Sequence, residues 1–101
     1  MRLTAQQQAT VRTTVSETFG SDAQVRLFGS RADDNKRGGD IDLLITTNQS
    51  DVSTLVRAEI ALLTKLQMKL GEQKIDVLLD YPSRKERPPI FRVALQTGIL
   101  L

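Results

Sequence analysis

Asp40-Ile41-Asp42-Leu43-Leu44-Ile45-Thr46 is the stretch that decides the fold. Side chains alternate across an extended chain, so Ile41, Leu43 and Ile45 take one face while Asp40, Asp42 and Leu44 take the other. Such a strand needs a layer over its apolar face, and its other face starts with two carboxylates about 6.5–7 Å apart at the backbone. Downstream, Lys74–Asp80 repeats the pattern, with Ile75, Val77 and Leu79 on one face and Asp76 and Leu78 on the other. Upstream, Gln24–Phe28 reads as a short strand in which Val25 and Leu27 share a face.

Helical patterns separate these strands. Thr4–Phe19 has Thr4 and Gln7 at capping-box spacing, an apolar stripe at Val11, Val15 and Phe19, and Gly20 as its stop. Val52–Leu70 is the longest helix, with Val52, Leu55, Val56, Leu62, Leu63, Leu66 and Leu70 in helical rhythm before Gly71. A short helical turn is expected through Arg31 and Ala32 with Ser30 as its N-cap, followed by a polar loop over Asp33–Gly39. Tyr81–Pro89 reads as a charged loop, Ile90–Gln96 as a last short helix, and Ile99-Leu100-Leu101 as an apolar tail. The order predicts one α/β (α+β) layered domain over residues 1–101. Its sheet would be small and mixed, of three to four strands, with helices packed mainly on one face. The aspartates would lie on the uncovered face.

The composition narrows the chemistry. Lys and Arg number 14 against 12 Asp and Glu, and there is no Cys and no His. Thiolate chemistry, a Ser–His triad and Cys- or His-ligated metals are therefore excluded. Oxygen-only ligands suit a hard ion such as Mg²⁺ or Mn²⁺. A net charge of +2 does not by itself indicate nucleic acid. No apolar run is long enough to span a membrane or to act as a signal peptide, so a cytoplasmic location is expected.

Asp40 and Asp42 are close enough to raise each other's pKa unless a cation neutralises them. If the two aspartate-bearing strands are neighbours, Asp76 joins them, and a two-metal site needs carboxylates of this kind. The ordinary alternatives are a polar strand end for Asp40 and Asp42, and an ion pair with Lys74 for Asp76. Leu27-Phe28-Gly29-Ser30-Arg31-Ala32 runs from strand through Gly-Ser into a helix start, where freed N–H groups can bind phosphate. Alone, it is an ordinary helix start. Together the two motifs complement each other, one holding cations and the other the polyphosphate that the cations bridge to.

These residues, with Lys74-Ile75-Asp76-Val77-Leu78-Leu79, resemble the minimal nucleotidyltransferases of the DNA polymerase β superfamily. The resemblance implies the polymerase β-like fold and Mg²⁺-dependent transfer of AMP from ATP to an acceptor hydroxyl. Asp40, Asp42 and Asp76 would be the catalytic and metal-binding residues for two Mg²⁺ ions, with Mn²⁺ as the alternative. Asp76 would take the acceptor's proton. Gly29 and Ser30 would grip the phosphates, with Arg31 and Arg37 (or Lys36) neutralising charge. The resemblance also implies a partner, a HEPN-type ribonuclease toxin whose tyrosine would be adenylylated, making this chain its antitoxin. Binding-only antitoxin action and adenylylation of RNA or a small molecule are the alternatives. The basic loop Ser83–Arg87 and the apolar residues after it agree with a partner surface; closure of the small core is the competing reading.

Overall fold

A computed structural model describes residues 1–33 and 39–101. Helix α1 (Ala5–Phe19) starts from a complete capping box, Thr4 Oγ1 accepting from Gln7 N at 3.0 Å and Gln7 Oε1 accepting from Thr4 N at 2.9 Å. Strand β1 (Gln24–Phe28) leads into a 3-10 turn (Gly29–Ala32). Strand β2 (Ile41–Thr46), helix α2 (Val52–Leu70) and strand β3 (Ile75–Asp80) follow. Helix α3 (Pro89–Thr97) and a two-residue strand β4 (Ile99–Leu100) close the chain.

The strands form one mixed sheet in the order β3-β2-β1-β4. β1 is antiparallel to both β2 and β4, while β2 and β3 are parallel, joined by the crossover through α2. The main core lies between α1 and α2 and one sheet face, where Val11, Val15, Leu62 and Leu66 meet Leu27, Ile41, Leu43 and Ile45.

The other face departs from the expectation. It is not left open, because α3 lies across part of it and builds a second core from Phe28, Leu44, Phe91 and Ala94, with Leu78 against them. Leu43, Leu44 and Ile45 are consecutive and all fully buried, as a strand covered on both faces requires. Asp42 and Asp76, on the same face, lie outside this second core.

Two local expectations also change. Ser30 is not an N-cap: the turn starts two residues earlier than expected, at Gly29, with Phe28 in the N-cap position and no side-chain cap. The apolar tail is a strand, with Leu27 opposite Ile99 and Arg26 opposite Leu100. Gly98 makes this possible, since a Cβ there would overlap the carbonyl oxygen of Ala94.

Candidate active site

The sheet register assembles the site. On β2, Asp42 lies directly opposite Asp76 of β3 on one side and Phe28 of β1 on the other. The residue after Phe28 therefore turns over Asp42. Gly29 takes a φ of 75°, which favours glycine, and a Cβ at this position would overlap Asp42 Oδ2. The glycine of the Gly-Ser motif is thus the seat of the Asp42 carboxylate. Ser30 follows, half-buried, beside the same space.

Asp42 is half-buried while Asp76 is exposed. Burial pushes the Asp42 pKa above the ordinary carboxylate value. The charges of Asp76 and Asp40 and a hydrogen bond shared with Asp76 add to this, and Lys74 opposes it. An oxygen-only pair under mutual repulsion, seated in a cradle that a Cβ would fill, fits a hard divalent cation. Asp40 has a partner of its own: its Oδ2 is 3.6 Å from Lys74 Nζ, at the surface. Lys74 therefore pairs with Asp40, not with Asp76. Among the described residues no group of three acidic side chains is gathered tightly enough to hold a metal ion. Asp42 and Asp76 are brought together; Asp40 is held by its lysine.

Asp42 and Asp76 line a cavity of about 900 Å³. Gly29, Ser30, Asp33, Asp42 and Asp76 form its polar side. Phe28, Leu78 and the α3 residues Ile90, Val93 and Thr97 form its apolar side. Asp33 and the α3 wall were not anticipated. The wall's signal was the helical spacing of Ile90, Val93 and Thr97, a second stripe beside the buried Phe91 and Ala94.

Arg31 does not line the cavity. Its Nη1 donates to the carbonyl of Arg2 at 3.2 Å, and its Nη2 to the carbonyl of Gly39 at 3.0 Å and to Gln73 Oε1 at 3.2 Å. Arg37 and Lys36 lie outside the described residues. In the basic loop, Arg84 stacks over Phe91 at 4.5 Å, and the exposed Arg87 bonds Asp80 Oδ1 through its Nε at 2.8 Å. Among the described residues no helix is long and apolar enough to cross a membrane.

The family model for the nucleotidyltransferase domain matches residues 9–100. The chain belongs to this family. A comparison with curated proteins gave no match. The nucleotidyltransferase domain accounts for the mixed sheet and flanking helices as a polymerase β-like fold, and for nucleotidyl transfer as its general chemistry. Such domains generally use divalent metals and nucleoside triphosphates. Among the described residues, Asp42 and Asp76 lie side by side with the Gly29-Ser30 turn next to them, and together could hold a metal ion.

Proposed function

We propose that this nucleotidyltransferase moves AMP from ATP to a hydroxyl group, with a tyrosine of a HEPN-type toxin as the acceptor, and so acts as an antitoxin. The observation that supports it best is the pairing of Asp42 with Asp76 on adjacent strands, with Gly29 turned over the Asp42 carboxylate. A bound divalent cation would supply charge neutralisation of the triphosphate and activation of the acceptor hydroxyl. The Gly29-Ser30 turn receives the triphosphate through its backbone N–H groups and the Ser30 hydroxyl. Arg37, which precedes β2 in the sequence, is the candidate cation for the leaving group. The acceptor oxygen bonds to the α-phosphorus, the bond to the β-phosphate oxygen breaks, and pyrophosphate leaves. Asp76, exposed at the mouth of the cavity, accepts the acceptor's proton. The apolar α3 wall offers the adenosine a face to pack on, and the cavity is open enough for a side chain of another protein to enter.

A second reading has its own support. Asp40 is paired with Lys74, and among the described residues no three acidic side chains are gathered, which agrees with a chain that neutralises its toxin by binding alone. One experiment separates the two. The wild-type chain and its Asp42→Asn variant are mixed with ATP, Mg²⁺ and the protein encoded by the adjacent gene, and the neighbour is weighed by intact mass spectrometry. Gain of AMP units with wild type only supports transfer. A stable complex without mass gain supports neutralisation by binding. No mass gain and no complex would move the acceptor to RNA or a small molecule.

A further inference from the structure

Arg31 sits next to the phosphate-side turn, yet its guanidinium points at three other parts of the chain. Its acceptors are the Arg2 carbonyl before α1, the Gly39 carbonyl just before β2, and Gln73 Oε1 just before β3. Its Nε is buried. Arg2 returns the contact, its backbone N–H donating to the Arg31 carbonyl at 2.8 Å and its Nη2 to the Ser30 carbonyl at 3.0 Å. Apart from the Arg2 segment, what is joined in this way carries parts of the site: the turn with Ser30, β2 with Asp42, and β3 with Asp76.

We propose that Arg31 is a positioning residue, whose guanidinium knots the Gly29-Ser30 turn to the starts of β2 and β3 and so sets the turn's distance from the two carboxylates. A planar fork with five donors can reach acceptors on separate segments at once; a lysine ammonium, a single point on a flexible stem, cannot. The effect on transfer rests on the nucleotidyl-transfer reading, but the knot itself does not.

The decisive variants are at Gln73, which touches Arg31 and lines no part of the cavity. Gln73→Leu removes Arg31's acceptor together with the Nε2 donor that Gln73 gives to the Leu70 carbonyl at 3.1 Å. Gln73→Glu keeps the acceptor, now as a carboxylate that pairs with the guanidinium, and loses that donor. Without nucleotide, amide hydrogen exchange is followed at Arg2, whose N–H donates to Arg31, and at Ile41, whose N–H donates to the Lys74 carbonyl at 2.9 Å. Exchange at both is expected to rise tenfold or more over that of α1 amides in Gln73→Leu and Arg31→Lys, and to stay near wild type in Gln73→Glu. Unchanged exchange in Gln73→Leu, or equal loss in both Gln73 variants, overturns the proposal. If Arg31→Lys does not fold, the Gln73 pair decides alone.

With Mg²⁺ and ATP, Gln73→Leu is expected to weaken binding at least tenfold, with no further loss when Arg31→Lys is added. Were Arg31 a phosphate ligand, Gln73→Leu would free it and leave ATP affinity unchanged or higher, which overturns the proposal. If the wild type does not bind ATP, the nucleotide reading fails and the exchange result alone judges the knot.

Discussion

Replacing Gly29 with alanine is expected to damage the site much more than the fold. The backbone φ of 75° lies in the left-handed region, where a side chain costs about 1–2 kcal/mol. For a chain of this size each kcal/mol lowers Tm by about 4–8 °C, so the variant should remain folded at room temperature. The added Cβ would overlap Asp42 Oδ2, the outer end of a side chain that can rotate away. That rotation costs the fold little but takes the carboxylate from its place beside Asp76. A reacting group misplaced by about 1 Å can lose on the order of 100-fold in rate. The expected result is a modest Tm loss with about a hundredfold loss of Mg²⁺-dependent transfer. Repeating Gly29→Ala in an Asp42→Ala background removes the overlap, so only the backbone cost should remain, and the difference between the two measurements isolates the contact. Wild-type transfer by Gly29→Ala, or the same stability loss in both backgrounds together with intact Mg²⁺-dependent nucleotide binding, would refute the seat described for Asp42.

Asp42→Asn should stabilise the metal-free protein at neutral pH. The raised pKa of Asp42 means that the fold disfavours its ionised form, so wild type carries a penalty above that pKa which fades as pH falls towards the ordinary carboxylate range. Urea unfolding across pH should show the Asn variant ahead at pH 7 and level near pH 3; a wild type more stable at pH 7 contradicts this. Lys74→Ala should change stability by less than about 1 kcal/mol, because its pair with Asp40 is exposed, and should tighten divalent-cation binding by removing a cation and releasing Asp40. Isothermal titration with Mn²⁺ tests it, and weaker binding would speak against Asp40 as a potential ligand. Leu44→Ala should cost about 2–5 kcal/mol, since Leu44 is fully buried in the core under α3. A cost below about 1 kcal/mol, read by chemical denaturation, would mean that α3 does not seal that face.

Local signals carried most of the architecture. The capping box at Thr4 and Gln7 and the rhythm of Val52–Leu70 define α1 and α2 because helix ends and amphipathic faces depend on near neighbours in the chain. Alternation around Asp42 and Asp76 placed both carboxylates on one face, and the parallel register then set them side by side. What escaped depends on tertiary partners. Ile99 and Leu100 are too few for alternation to show, and they become a strand only because β1 offers an unpaired edge. Ile90–Gln96 looked like a helix, but nothing local says on which side of the sheet it packs. Lys74 precedes β3 and Asp40 precedes β2, so neither follows the strand's alternation, and their pairing was invisible until the strands were adjacent. Arg31 was legible as a cation beside the motif, but not its acceptors, which come from segments remote in sequence.

The direction of the strands has a consequence for how this domain can diversify. Asp42 and Asp76 stand near the starts of β2 and β3, and the Gly-Ser turn leaves the end of the antiparallel β1, so all the proposed chemistry collects at one rim of the sheet. The loops that follow β2 and β3 emerge at the opposite rim, where Asn48 Nδ2 donates to Asp22 Oδ2 at 3.0 Å and Ser83 Oγ to the Ser50 carbonyl at 2.9 Å. The loop after β2 can lengthen or change composition without moving a carboxylate. The loop after β3 is more constrained, because Arg84 and Arg87 tie it to Phe91 and Asp80 ahead of the α3 wall, and the near rim tolerates change only where strand register and the Gly29 turn are preserved.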